Sequence, residues 1–163
     1  MVIDNSLLVL GSSSIPAEDY EKIAFDLVSE LGQVKGVQAN NPNATKLFVE
    51  SLQDDPYAPL TIYRRALKCI DDASFIVVDI SAASTGMGME VVYLVDKLSE
   101  PENEKKAVFI AKQGTKTSPH IAGLYQHKLN KPLVVYHYKT SKEMISEVKC
   151  SPEFEQYTLE PNN

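Results

Sequence analysis

One short run of the chain combines small, polar and acidic residues in an order that suits chemistry on a polar ligand. Residues 75–79 are apolar and end in Asp79, a small-residue loop follows, and Gly86, Gly88 and Glu90 lie at the start of an apolar-periodic stretch. Short β-branched runs predict buried strands and longer periodic runs predict helices, so the segment is predicted to form strand, loop and helix. Ligands of open α/β sheets bind at the carboxyl ends of the strands. We therefore expect Glu90, in the first turn of the helix, to face that crevice.

Two roles are open to Glu90. Gly86 and Gly88 let the backbone approach a ligand closely, and the free N–H groups and positive end of a helix favour an anion and the ionised form of Glu90. An ionised carboxylate in a crevice can act as the nucleophile of glycosyl transfer, whose transition state resembles an oxocarbenium ion. The alternative is a capping box, in which a Ser or Thr at the N-cap is paired with a Glu a few residues on.

Other polar residues also follow predicted strands. Gly11 and Ser12 come after the first strand and before a predicted helix, where they can hold an anion such as phosphate, although Gly-Ser is also ordinary turn chemistry. Asp79 could bind a sugar hydroxyl or transfer a proton, or it could cap the loop. Tyr63, Arg64 and Arg65 could stack on a base or bind a phosphate, or could be solvated helix side chains.

Strands and helices alternate along the chain. Runs of apolar residues predict strands at 6–10, 34–37, 75–79, 107–111 and 132–138, and helices are predicted at residues 17–31 and in five later segments. This alternation predicts the α/β class, a three-layer sandwich with a parallel sheet of about five strands and flavodoxin-like winding. We expect a single domain over 1–163, in which 151–163 is a polar tail.

Composition excludes several classes of partner. The 163 residues are 44% hydrophobic and 23% charged, which is typical of a globular protein, and the net charge of −6 argues against binding of polymeric nucleic acid. No apolar run is long enough to span a membrane and no signal peptide is evident, so a cytoplasmic protein is expected. Cys69 and Cys150 are expected to be reduced thiols. The three histidines are isolated, so no metal site is predicted.

The run from Gly86 to Glu90, Gly-Met-Gly-Met-Glu, resembles the signature of the nucleoside 2-deoxyribosyltransferase superfamily, which includes the 2′-deoxynucleoside 5′-phosphate N-hydrolases. Gly11-Ser12 is similar to the sugar and phosphate loop of that superfamily, and Ser118 lies in a motif similar to one of the hydrolase branch. The resemblance implies cleavage or transfer at the N-glycosidic bond of 2′-deoxynucleosides or their 5′-monophosphates, with Glu90 as nucleophile and without a cofactor. It also implies a homodimer or higher homo-oligomer with a shared active site.

Two positions bear on the substrate and on activity. Ser84 stands where the transferase branch tends to have an aspartate and the hydrolase branch a serine, and a hydroxyl accepts a phosphate without the repulsion of a carboxylate. The family usually has an aspartate where this chain has Ala66. Another acid replaces it, or the protein is a non-catalytic nucleotide-binding protein that retains the fold. The acids that could replace it are Asp71, Asp72 and Asp79. The catalytic residues expected are Glu90 and Asp79, and the substrate-binding residues are Gly11, Ser12, Tyr63, Ser84, Gly86, Gly88 and Ser118.

Overall fold

A parallel sheet of five strands runs through the part of the chain that the computed structural model describes, which is residues 6–11, 26, 29–31, 38–39, 52, 54–82 and 84–159. The strands are β1 (Ser6–Gly11), β2 (Gln38–Ala39), β3 (Phe75–Asp79), β4 (Lys106–Lys112) and β5 (Val135–Tyr138). Their order across the sheet is β2-β1-β3-β4-β5, and every pairing is parallel. This is the strand order of flavodoxin-like sheets, so the predicted fold class is confirmed.

Helices connect and cover these strands. They are α1 (Ala58–Asp72), α2 (Thr85–Leu98), α3 (Pro119–Leu129), α4 (Ser141–Lys149) and α5 (Pro152–Leu159). Asp26 and residues 29–31 are also helical, at the end of the first predicted helix. The strand predicted at 34–37 lies outside the described residues. Within those residues, no helix is both long enough and apolar enough to cross a membrane.

Two apolar layers enclose the sheet. β3 is buried along its whole length, and successive side chains point to opposite faces. Ile76 and Val78 pack on one face with apolar residues of α1, α2 and α3. Phe75 and Val77 pack on the other face with residues of α4 and α5. A strand covered on both faces needs a continuous apolar run, which is why the sequence identifies it.

The prediction of a polar tail at the end of the chain is wrong for α5. Ser151 begins this helix, since its hydroxyl accepts a hydrogen bond from the Phe154 N–H at 3.2 Å. Phe154 and Tyr157 are buried, and their ring centroids lie 5.3 and 5.0 Å from that of Phe75. The two aromatic residues, three positions apart on one face of the helix, bury enough apolar area to hold this polar-looking segment on the core.

The order of the elements decides which residues share each edge of the sheet. α1 ends at Asp72, just before β3 begins, so its last turn lies at the amino edge of the sheet. α2 begins at Thr85, shortly after β3 ends at Asp79, so its first turns lie at the carboxyl edge. The carboxyl edge is where the predicted site residues Ser84 and Glu90 stand.

Candidate active site

The first turn of α2 is fixed by Ser84. This residue is the N-cap, with extended backbone, and its Oγ accepts a hydrogen bond from the Met87 N–H at 3.2 Å. Capping satisfies one of the backbone donors that a helix leaves free at its start. The N–H of Gly88 bonds to the Ser84 carbonyl at 3.0 Å, so the first full turn is closed around this residue.

Glu90 lies one turn further along α2 than the sequence predicted. The helix begins at Thr85, its first turn contains no acidic residue, and Glu90 is in the second turn. The capping-box alternative is therefore excluded, because the residue three after the N-cap is Met87. The glutamate is not needed to start the helix, which leaves its carboxylate available for another role.

The electrostatic environment of Glu90 also differs from the prediction. Its side chain is half-buried, and within the described residues no group forms a hydrogen bond or ion pair with its carboxylate. Burial raises the pKa of this carboxyl above its ordinary value. The helix N-terminus was expected to favour the ionised form, but its effect fades beyond the first turn and desolvation prevails. Perturbed carboxyl pKa values are common at functional sites, so the raised pKa is consistent with a functional role for Glu90.

Gly86 and Gly88 leave open space beside this glutamate. A Cβ added at either glycine would have no atom within 4 Å beyond its chain neighbours and the backbone of its own helix, and neither glycine has a positive φ. The backbone conformation and the internal packing of the described residues therefore do not require glycine at these positions. Side chains there would instead cover the outer surface of the first two turns of α2, where a ligand could approach the backbone.

Asp79 is buried at the end of β3, with 1% of its surface exposed. Its Oδ1 accepts hydrogen bonds from the N–H and the hydroxyl of Ser81, the former at 2.9 Å, and its Oδ2 accepts one from the Tyr138 hydroxyl at 2.8 Å. A carboxylate so enclosed has no exposed oxygen for a sugar hydroxyl or a leaving base. The structure therefore supports the loop cap that the sequence left as an alternative, and the predicted direct catalytic contact of Asp79 is corrected.

The hydrogen bonds around Asp79 join three neighbouring strands. Besides contacting Asp79, the Ser81 hydroxyl accepts a hydrogen bond from the Lys112 N–H at 2.8 Å and lies 3.3 Å from the Tyr138 hydroxyl. The Ile80 N–H bonds to the Ile110 carbonyl at 2.9 Å. This network holds the carboxyl ends of β3, β4 and β5 together beneath the loop that leads to α2. Sequence reasoning missed Ser81 and Tyr138, although Ser81 follows β3 and Tyr138 ends β5 at this edge.

Three of the remaining predicted site residues lie along the same edge. Gly11 ends β1 directly beside Asp79 in the strand register. Ser118 is the N-cap of α3, and its hydroxyl makes no capping hydrogen bond. Tyr63 lies in the half of α1 nearer this edge, with 44% of its surface exposed. Ser12 lies outside the described residues.

Two of the acids considered in place of Ala66 lie at the opposite edge of the sheet. Asp71 and Asp72 are in the last turn of α1, and the Asp71 carboxylate accepts a hydrogen bond from the Tyr93 hydroxyl at 2.8 Å. Lys105 donates to the main-chain carbonyls of Asp71 and Ala73 there. Of the three acids, only the enclosed Asp79 is at the edge that carries Glu90.

The fold is shared with a known glycosidase structure. No family model matches this chain, and no curated protein matches it. The structure of the Clostridium botulinum CMP N-glycosidase BcmB is similar over 88% of this chain and 97% of that chain, with a TM-score of 0.57 and 14% sequence identity. At this level of identity the similarity shows a common fold.

Among the described residues, no group of three or more His, Cys, Asp or Glu side chains could hold a metal ion.

Proposed function

We propose that this protein cleaves the N-glycosidic bond of a nucleoside or nucleotide, with Glu90 as the nucleophile. The observation that carries the proposal is the half-buried carboxylate of Glu90 at the carboxyl edge of the sheet, which has no partner among the described residues. The resemblance of residues 86–90 to the deoxyribosyltransferase signature supports it. So does the fold in common with a CMP N-glycosidase. Within this class, we propose 2′-deoxynucleosides or their 5′-monophosphates as substrates.

The proposed reaction has two steps. A carboxylate oxygen of Glu90 bonds to C1′ as the C1′–N bond breaks, and the electron pair of that bond leaves with the base, whose nitrogen takes a proton from water. A water molecule then attacks C1′ and releases Glu90 in a hydrolase, or the nitrogen of a second base does so in a transferase; in either case the attacking group gives up a proton, which neutralises the hydroxide left by the first step. Because the nucleophile must be ionised and burial raises its pKa, the rate of the first step should rise with pH through that pKa.

The remaining residues of the edge are proposed to bind the substrate. The Ser84 hydroxyl already accepts from the Met87 N–H, so its own proton is available to a phosphate or sugar oxygen. Gly86 and Gly88 leave room for that group. The site is proposed to be completed by Gly11, Ser12, Tyr63 and Ser118. In this arrangement Asp79 positions the loop and does not touch the substrate.

Release of free base is the decisive measurement. Purified protein is incubated separately with 2′-deoxynucleosides, their 5′-monophosphates and CMP, with and without a second free base, and the products are separated chromatographically. We expect base release that Glu90→Gln abolishes, whereas Glu104→Gln, which alters an exposed glutamate at the other edge of the sheet, leaves the rate unchanged. Full activity of Glu90→Gln would show that another group is the nucleophile.

A non-catalytic nucleotide-binding protein is the second candidate function. The observation that favours it is that, of the three acids considered as replacements for the aspartate of the family at Ala66, the one at this edge, Asp79, is enclosed. It predicts that the nucleotides of the same assay raise the melting temperature while no base is released.

We also propose that the protein is a homodimer or a larger homo-oligomer. The outer surfaces of α1 and α2 carry four large apolar side chains, each more than two-fifths exposed: Leu60, Tyr63, Met89 and Val92. Such a patch is typical of a protein interface. Val92→Glu should lower the mass measured by light scattering, and Val134→Glu, at a similarly exposed valine outside these helices, should not. A monomeric wild-type protein would refute the proposal.

A further inference from the structure

Two loops at the carboxyl edge of the sheet end in hydroxyl groups that are proposed to bind the substrate. The β3–α2 loop (80–84) ends at Ser84 and the β4–α3 loop (113–118) ends at Ser118, and each serine is the N-cap of the helix that follows. Since α2 and α3 pack against each other, the two caps begin neighbouring helices. The relative position of the two loops therefore decides whether one substrate can contact both serines.

Ser81 joins the two loops at their base. Its hydroxyl donates to Oδ1 of Asp79 and accepts a hydrogen bond at 2.8 Å from the N–H of Lys112, the residue that ends β4. A serine hydroxyl has a single proton, which in Ser81 is already donated to the enclosed carboxylate. The hydroxyl therefore ties the first loop to the strand end from which the second loop starts, and it has no proton left for a ligand.

Lys112 begins the turn of the β4–α3 loop. Its carbonyl accepts a hydrogen bond from the Thr115 N–H at 3.0 Å, and Gly114 within this turn has a φ of 88°, in the left-handed region that favours glycine. The N–H of the same lysine is the group that bonds to Ser81. A shift of the Lys112 main chain would therefore be passed on to the turn and to Ser118 beyond it.

Tyr138 belongs to the same network but not to the link between the loops. Its hydroxyl donates to Oδ2 of Asp79 at 2.8 Å, whereas Ser81 bonds to Oδ1. The two hydroxyls lie 3.3 Å apart, but the proton of each is already donated to Asp79, so this contact adds little. Loss of the Tyr138 hydroxyl would therefore weaken the network and leave the bond between Ser81 and Lys112 in place.

We propose that Ser81 is a positioning residue, which fixes the β4–α3 loop relative to the β3–α2 loop and thereby sets Ser118 relative to Ser84. It does not touch the substrate. The inference rests on the proposed function, because it concerns the same substrate. In Ser81→Ala the Lys112 N–H loses its acceptor, so the β4–α3 loop can shift. Glu90 stays in place, because Ser84 still caps α2.

Steady-state kinetics separate positioning from a general loss of stability. Base release is measured well below the melting temperature with 2′-deoxynucleosides, their 5′-monophosphates and CMP, each taken singly. Ser81→Ala should raise KM about tenfold, the effect of losing one good hydrogen bond to the substrate, and should change kcat by less than about threefold. Partial unfolding gives the opposite pattern, because it removes active molecules, which lowers the apparent kcat and leaves KM unchanged.

Two comparison variants show whether the link between the loops is responsible. Ser99→Ala also removes a serine hydroxyl, which donates to the Asp96 carbonyl at 2.7 Å at the amino edge, and it should leave KM unchanged. Tyr138→Phe should raise KM by no more than about threefold, because the bond between Ser81 and Lys112 remains. An unchanged KM in Ser81→Ala, or an equal rise in Tyr138→Phe, would refute the proposal.

A double-mutant cycle tests which loop Ser81 acts on. Ser118→Ala should raise KM in the wild-type background, and by a smaller factor in the Ser81→Ala background, because the loop that carries Ser118 is already displaced there. Equal factors in the two backgrounds would show that Ser81 does not position Ser118.

A binding measurement distinguishes failure of this inference from failure of the proposed function. If the wild type releases no base, the proposed function fails, and the same variants are compared by calorimetric titration with the same nucleosides and nucleotides. A dissociation constant about tenfold higher in Ser81→Ala then supports the positioning role, and an unchanged one overturns it. Absence of binding by the wild type overturns both.

Discussion

The hydrogen bond from Tyr138 to Asp79 gives a quantitative test of how the carboxyl edge is held together. Tyr138→Phe keeps the ring in the core and removes the donor that lies 2.8 Å from Oδ2 of a carboxylate with 1% exposure. A hydrogen bond to a charged group contributes about 1.5–3 kcal/mol. For a chain of this length, each kcal/mol corresponds to about 2–4 °C in melting temperature, so we expect a decrease of about 3–12 °C.

The pH dependence of this difference has a definite sign. Burial, with Asp79 as a smaller cause, raises the pKa of the Tyr138 hydroxyl above its ordinary value of 10.0. Above about pH 10 the unfolded chain loses this proton while the folded chain keeps it, so rising pH favours unfolding of the wild type. The variant Tyr138→Phe has no such proton to lose. The stability advantage of the wild type over this variant should therefore be complete below about pH 10 and should decrease above it.

Urea unfolding followed by circular dichroism at about pH 7, 9 and 10.5 measures both effects, since these values span the ordinary pKa of a tyrosine. Tyr57→Phe serves as the control, because Tyr57 is 71% exposed and its hydroxyl should contribute little. In an Asp79→Asn background the loss caused by Tyr138→Phe should become smaller, since the acceptor is no longer charged. A loss below about 0.5 kcal/mol in the wild-type background, or an equal loss in both backgrounds, would refute the reasoning.

Three further predictions concern the helices. Glu90→Gln should raise the free energy of unfolding at pH 7, because burial raises the pKa of Glu90 and so makes the ionised form unfavourable in the folded state. This gain should disappear below the ordinary pKa of 4.5, where the carboxyl is protonated in both the folded and the unfolded state. Denaturant titrations at several pH values measure it. Ser84→Ala should cost about 1 kcal/mol through loss of the α2 cap, and Thr140→Ala, which removes the equivalent cap of α4, should cost as much. In a nucleotide-binding assay, however, only Ser84→Ala should weaken binding. Phe154→Ala should destabilise the protein by about 3–5 kcal/mol, and a loss under about 1 kcal/mol would mean that α5 is not part of the core.

Most of the architecture could be predicted because it depends on short-range patterns. The buried run of β3 and the periodic apolar positions of α2 are encoded within a few residues of one another, and the α/β alternation follows from their order. The error at α5 has a different origin. The aromatic residues that hold this helix on the core, Phe154 and Tyr157, contact Phe75, which is far away in sequence. Local composition could not show that contact.

The candidate site, like the fold, could be predicted only where it depends on neighbouring residues. The sequence placed Ser84 and Glu90 near one another, since both lie within seven positions at the start of one helix. The sequence could not decide the environment of the two acidic residues, Asp79 and Glu90. Whether Asp79 faces a ligand or the protein depends on Tyr138, a residue of another strand. Whether Glu90 is stabilised as an anion depends on where α2 starts and on the burial of its second turn.

The sequence by itself therefore determined the fold class, the strand–loop–helix around residues 75–95 and the identity of the candidate nucleophile, because each depends on patterns among neighbouring residues. Only the tertiary structure decided that Asp79 is an enclosed cap, that Asp71 and Asp72 are at the wrong edge, and that Glu90 is half-buried without a partner among the described residues. The physical reason is that hydrogen bonding and desolvation depend on which distant segments pack together. Both are properties of the assembled sheet and its layers, and no local pattern contains them.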